Sequence, residues 1–216
     1  MALAIQCLAA TAYTISIVGA HGRLGRELVA QSLQRGWNVD GIVRRPLDPI
    51  LEPVKNGWLT PDVNENSEPV SSPCLTVTSE LDASDANGVV FCMSARPFAP
   101  RSEMSKQTDV VRAILKTCSN DTRICLVSAY GAGDSLKGSN AGIQFMHSVY
   151  LREAYAAKEE QEILVSQYNA SLILRPRVLS FSEIPMNPIA VPRFRLAHNI
   201  LDWCETFVPH QENKTY

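Results

Sequence analysis

The sequence predicts an α/β fold: a doubly wound parallel sheet with a small C-terminal cap. Three observations carry that expectation. Thr14 to Val18 is a short apolar run that ends in glycine, as a buried strand does. Leu24, Leu28, Val29 and Leu33 then recur at helical spacing, and Gly36 supplies a stop signal. Val39 to Val43 forms a second apolar run, so strand, turn, helix and strand follow one another within about thirty residues, which is the length of a βαβ unit. Such a unit pairs its strands in parallel through a right-handed crossover.

The alternation continues down the chain. Gly88 to Ser94 reads as a strand, and Met104, Val111, Ile114, Leu115 and Cys118 share one side of a helix. Arg123 to Ser128 is a further strand, and about Phe145 to Gln167 is the longest helical stretch. Ser171 to Leu174 is a strand closed by Arg175-Pro176, and Phe194 to Phe207 is the final helix. The region 46–73 breaks the pattern. Six prolines fall in it, and it reads as loop, with a short strand near Leu75 to Val77.

Composition bounds the function classes. The chain has 216 residues, 45% hydrophobic and 19% charged, so it suits one domain with a core that needs no staples. A formal net charge of −2 gives no general basic field for nucleic acid or an anionic membrane. Six cysteines are scattered without a C-x-x-C pair, and no His stands at metal-ligand spacing, so free thiols in a reducing compartment and no metal are expected. No apolar run reaches transmembrane length. The apolar residues 1–12 end in a look-alike cleavage site but carry no Lys or Arg, and read as a lead-in to the first strand. A cytoplasmic protein is expected, with an organelle as the alternative.

The first turn carries the chemistry. It reads Gly19-Ala-His-Gly22-Arg-Leu-Gly25, between a strand and a helix. In that setting Gly19 permits the tight turn, Gly22 lets a pyrophosphate approach the backbone, and Gly25 lets helix and sheet pack closely. The helix start, with Leu24 in its first turn, offers N–H groups to phosphate. His21 and Arg23 add side-chain donors. The second strand ends in Arg44-Arg45, where an NAD site would place an acid. Two guanidiniums suit a 2′-phosphate, so NADP is the expected cofactor.

With these residues in place, the chain resembles the atypical short-chain dehydrogenase/reductase group, whose NmrA-like and biliverdin-IXβ reductase (flavin reductase) branches look nearest. Ile17 to Val29 resembles the cofactor fingerprint of the group, and Gln34 to Arg44 its second strand. Lys158-Glu-Glu-Gln-Glu162-Ile-Leu164 followed by Leu172-Ile-Leu-Arg-Pro176 resembles a later family segment, and Arg193 to Leu201 the helix after the substrate segment. The resemblance implies a single NAD(P)-binding Rossmann domain over 1–216, with a Pro-rich loop at 46–73 and a substrate-side segment at 177–216. The Gly-Asp pair that usually ends the family's third strand is missing from 46–87.

Ligands of doubly wound sheets sit at the carboxyl ends of the strands. Ser94 and Ala95 are therefore expected beneath the dinucleotide, and Ser128 and Tyr130 beside the nicotinamide and substrate. Classical members of the wider family pair a catalytic Tyr with a Lys four residues on; here Tyr150 meets Ala154 and Tyr155 meets Glu159. The proton donor stays open among Tyr130, Tyr155, His147 and water. Lys158 lies seven residues from both Leu151 and Val165, on an inward stripe, and is expected to reach the nicotinamide ribose. Lys158, Ser128 and Tyr130 are thus the candidate catalytic residues. The expected function is NADPH-dependent reduction of a small planar conjugated acceptor: a flavin, quinone or tetrapyrrole. Alternatives are a non-catalytic NAD(P) sensor of the NmrA-like type and an epimerase- or dehydratase-like enzyme. A monomer or homodimer acting on a small molecule is expected.

Overall fold

The computed structural model describes residues 13–46, 48, 50, 72–93, 101–132, 135, 141–146, 152–176, 178–180 and 190–206. The elements run β1 (Thr14–Val18), α1 (Arg23–Gln34), β2 (Asn38–Ile42), β3 (Leu75–Thr78), β4 (Gly88–Phe91), α2 (Arg101–Leu115) and β5 (Arg123–Val127). After these come α3 (Ala141–Met146), α4 (Arg152–Ser166), β6 (Ser171–Leu174), β7 (Val178–Ser180), β8 (Ala190–Pro192) and α5 (Arg193–Thr206). Six strands form one sheet in the order β3-β2-β1-β4-β5-β6, and every neighbouring pair is parallel. The order reverses between β1 and β4, which fixes where a ligand crevice opens.

A parallel sheet must be covered on both faces. Ile15, Ile17, Val39 and Val90 face α1 and α5, where they meet Leu28, Val29, Ala197, Ile200 and Leu201. Val18, Phe91, Ile124 and Leu126 face α2 and α4, where they meet Val111, Ile114 and Val165. Each such fully buried side chain contributes roughly 1.5–3 kcal/mol. The helical spacing of Leu24, Leu28 and Val29 therefore becomes one buried face of α1, and Gly36 ends the helix with φ +76°. Gln31 of α1 donates to the Phe194 carbonyl at 3.1 Å, which ties α1 to α5. At the other end of α5, Tyr13 and Arg123 both donate to the Cys204 carbonyl, satisfying a terminal acceptor of the helix.

Three expectations change. The stretch from Phe145 to Gln167 is not one described helix: Phe145 belongs to α3, and α4 starts at Arg152, with 147–151 outside the described residues. The parallel pair β7–β8 had no signal, because each strand has three residues. Cys74 is disulfide-bonded, so the cysteines are not uniformly thiols; Cys92, Cys118, Cys125 and Cys204 are free. Among the described residues no helix is long and apolar enough to cross a membrane.

Candidate functional site at the carboxyl edge

The glycine turn lies at the switch point between β1 and β4. Gly19 has φ +95°, and its N–H donates to the Ile42 carbonyl at 2.9 Å, binding the turn to β2. A Cβ on Gly19 would stand 3.3 Å from the Met93 backbone nitrogen at the end of β4. A Cβ on Gly25 would stand 2.3 Å from the Gly19 carbonyl oxygen and 2.8 Å from the Ala20 Cα, so only glycine fits where α1 meets the turn. Gly22 is the N-cap of α1 and is exposed; it has no side-chain cap, and no acidic residue stands in the first turn. The helix start therefore presents its positive end without an anion of its own, which fits a bound pyrophosphate. Leu24 is buried in the core, so its contribution to such a ligand is its backbone N–H. Arg23 is exposed beside Gly22. His21 is part-buried, its ring Nε2 2.9 Å from the Asp48 carbonyl oxygen.

Both arginines at the end of β2 are open to solvent. Arg44 is 86% exposed and 3.9 Å from Glu103, while Arg45 is 81% exposed and 2.9 Å from Asp48. Exposed pairs of this kind hold a side chain loosely. The two guanidiniums therefore stand just past the end of the strand next to β1, available to an anion.

The ends of β4, β5 and β6 are built differently. Lys158 on α4 donates from Nζ to the Met93 carbonyl at 3.0 Å, the Val127 carbonyl at 3.3 Å and Gln161 Oε1 at 3.3 Å. Its inward stripe thus delivers the amine to the edge where β4 and β5 end. Burial lowers its pKa to about 8, opposed by Cys92 and Glu162. Cys92 lies behind the glycine turn with its thiol on the Val18 carbonyl at 3.2 Å, and burial pushes that thiol up to about 12. Gln161 is buried and donates to Thr108 at 3.4 Å, joining α4 to α2.

Ser128 follows β5 and is buried. Its Oγ has no hydrogen-bond partner among the described residues, the kind of orphan that a ligand atom satisfies. The Tyr155 hydroxyl donates to the Tyr130 carbonyl at 3.1 Å, and its ring packs on Gly131, which has φ +102°. Burial raises the Tyr155 pKa, so the phenol keeps its proton. Arg175 holds Glu162 with two bonds, Nε–Oε1 at 2.9 Å and Nη2–Oε2 at 2.7 Å. The structure therefore brings His21, Arg44, Arg45, Ser128, Tyr130, Tyr155 and Lys158 to the carboxyl side of the sheet. Ser94, Ala95 and His147 lie outside the described residues. Sequence reasoning missed Asp48, Gln161 and the Glu162–Arg175 pair. Only Glu162 and Arg175 had a signal, as two charged residues flanking apolar runs on consecutive elements.

No curated protein matches the chain by sequence. Solved structures do match in fold. A Streptococcus pneumoniae TIGR4 protein assigned as an NADH-flavin reductase superposes with TM-score 0.57 at 14% identity, covering 89% of this chain and 93% of that one. ChuY, an anaerobillin reductase from Escherichia coli O157:H7, gives 0.55 at 17% identity over 88% of this chain and 89% of that one. UDP-N-acetylglucosamine 4-epimerase from Bacillus cereus gives 0.57 at 13% identity over 95% and 77%. At these identities the likeness is one of fold, a Rossmann-type sheet shared by proteins of different activity. The sequence itself matches the NAD(P)H-binding family over residues 19–185, which include the glycine turn, Lys158 and Arg175. The chain belongs to the NAD(P)H-binding family.

Proposed function

We propose that the protein is an NADPH-dependent reductase of a small planar conjugated acceptor, a flavin, quinone or tetrapyrrole. The observation that carries the reading is the pair of exposed guanidiniums, Arg44 and Arg45, together with an uncapped glycine turn at the switch point. The backbone at Gly22 to Gly25 holds the pyrophosphate, and Arg44 and Arg45 hold the 2′-phosphate. When bound, the nicotinamide supplies a hydride from C4. Ser128 Oγ and the Tyr130 segment orient the ring and the acceptor. Lys158 has three acceptors in hand, and it meets a ribose hydroxyl by releasing the Gln161 side chain, the one side-chain acceptor of the three. Tyr155 retains its proton, yet its hydroxyl is engaged by the Tyr130 carbonyl. An acceptor that needs little proton assistance suits this arrangement. The described relatives in fold include reductases of a flavin and of anaerobillin, which accords with a planar acceptor.

A second reading, a dinucleotide sensor without turnover, is favoured by one observation: the amine of Lys158 and the hydroxyl of Tyr155 both bond to the protein's own backbone. The two readings separate on NADPH oxidation, followed by absorbance, with flavin, quinone and tetrapyrrole acceptors. Oxidation with at least one of them is expected, and Gly22→Val should abolish it by filling the pyrophosphate's place. Tight NADPH binding with no oxidation of any acceptor would establish the sensor instead.

A further inference from the structure

We propose that Asp48 sets cofactor selectivity: its carboxylate competes for Arg45 and opposes a 2′-phosphate, so the site favours NADPH less than its two arginines alone would. The inference rests on the dinucleotide reading above and adds a residue to it.

Asp48 is held at the site from three directions. Its carboxylate pairs with Arg45 Nε at 2.9 Å, and its backbone N–H donates to the Arg45 carbonyl at 3.1 Å across the same turn. Its own carbonyl accepts from His21 Nε2 at 2.9 Å. A carbonyl only accepts, so that ring nitrogen carries the proton. His21 belongs to the glycine turn, and Arg26 of α1 donates to the His21 carbonyl at 3.0 Å. Asp48 therefore bridges the glycine turn and the arginines: its backbone carbonyl is on His21 and its carboxylate on Arg45.

That position has opposite consequences for the two dinucleotides. A ribose 2′-OH donates to a carboxylate, which accepts only; a 2′-phosphate offers no donor and repels it. Arg45 also commits its Nε to Asp48, so it meets a phosphate with its two Nη groups and with its charge partly offset, whereas Arg44 is held only at 3.9 Å by Glu103. Both Arg45 and Asp48 are substantially exposed, so water and salt weaken the effect.

The test is Asp48→Asn, which keeps the size and turn-forming capacity of the side chain and deletes its charge. The full chain is titrated with NADPH and separately with NADH, following nicotinamide fluorescence. The ratio of the two affinities should move toward NADPH by about two- to fivefold, the range of an exposed charge pair, and the shift should shrink in high salt. If both dinucleotides bind and the ratio is unchanged, Asp48 is only a turn residue and the proposal is overturned. If neither dinucleotide binds the wild type, the dinucleotide reading itself fails and takes this proposal with it.

Discussion

The two halves of the sheet's carboxyl edge carry their charges in opposite ways. At the end of β2, Arg44 and Arg45 lie in solvent with loose acidic partners. At the ends of β5 and β6, Arg175 is 17% exposed and Glu162 7%, joined by two short bonds, and Lys158 has an acceptor for each of its three N–H donors. The setting of each charge decides what it can do. A guanidinium in water is weakly committed and can be claimed by a ligand. A buried ion pair is committed to the frame, because either member alone would be an uncompensated charge in low dielectric. On the proposed reading, the β2 half recognises the cofactor and the β5–β6 half holds the floor in shape.

Breaking the buried half should have the largest effect. Glu162→Ala takes its carboxylate from the part-buried Arg175, and unfolding free energy should fall by about 1–3 kcal/mol. Replacing both residues with Met should recover much of that loss, since no charge is then stranded. Chemical denaturation of the two variants measures it; a loss below about 1 kcal/mol in Glu162→Ala would place this pair with the surface bridges of the other half.

The exposed half should respond in binding and hardly in stability. Arg44→Ala with Arg45→Ala should cost roughly ten- to a hundredfold in NADPH affinity, the range of one or two charge-assisted bonds, and leave NADH affinity nearly unchanged. Equal affinities of the wild type for the two dinucleotides would remove the 2′-phosphate assignment.

The same contrast governs how much was legible from sequence. β1 and α1 were readable because burial on both faces writes a continuous apolar run, and one-sided burial writes a helical stripe. The glycine turn was readable because sterics forbid a Cβ at Gly25. β3 showed only faintly: Leu75–Thr78 is an edge strand, half-exposed and preceded by the prolines. Long-range polar partners left almost no trace. Lys158 could be placed on an inward face, but its acceptors at Met93 and Val127 are backbone carbonyls, which every residue has. Asp48 was hidden in a Pro-rich loop, and only the turn that returns it to Arg45 and His21 gives it a role.

Lys158 gives the most discriminating measurement, because it belongs to the buried half yet lies at the carboxyl edge where β4 and β5 end. Burial holds its pKa at about 8 against an ordinary 10.5. Between those values the unfolded chain binds a proton that the folded chain lacks, so folding stability rises with pH across that window. Below about 8 both states carry the charge, and the cost of burying it is constant; above 10.5 both are neutral and the gain is complete. Lys158→Met removes this titration and keeps an apolar stem. The difference in unfolding free energy, wild type minus variant, should therefore climb with pH from about 8 upward, with a slope no steeper than about 1.4 kcal/mol per pH unit. Cys92 is coupled to Lys158 but its thiol is pushed up to about 12, above this window, and groups away from Lys158 titrate alike in both proteins and cancel in the difference. Parallel stability curves would show a solvated amine that belongs with Arg44 and Arg45. NADPH affinity then asks a separate question of the same variant. If the ammonium trades Gln161 for a ribose hydroxyl, affinity or turnover should fall about ten- to a hundredfold. A pH-dependent stability difference with unchanged NADPH affinity and turnover would assign Lys158 to the frame alone, because its bonds to the Met93 and Val127 carbonyls would then be its whole function.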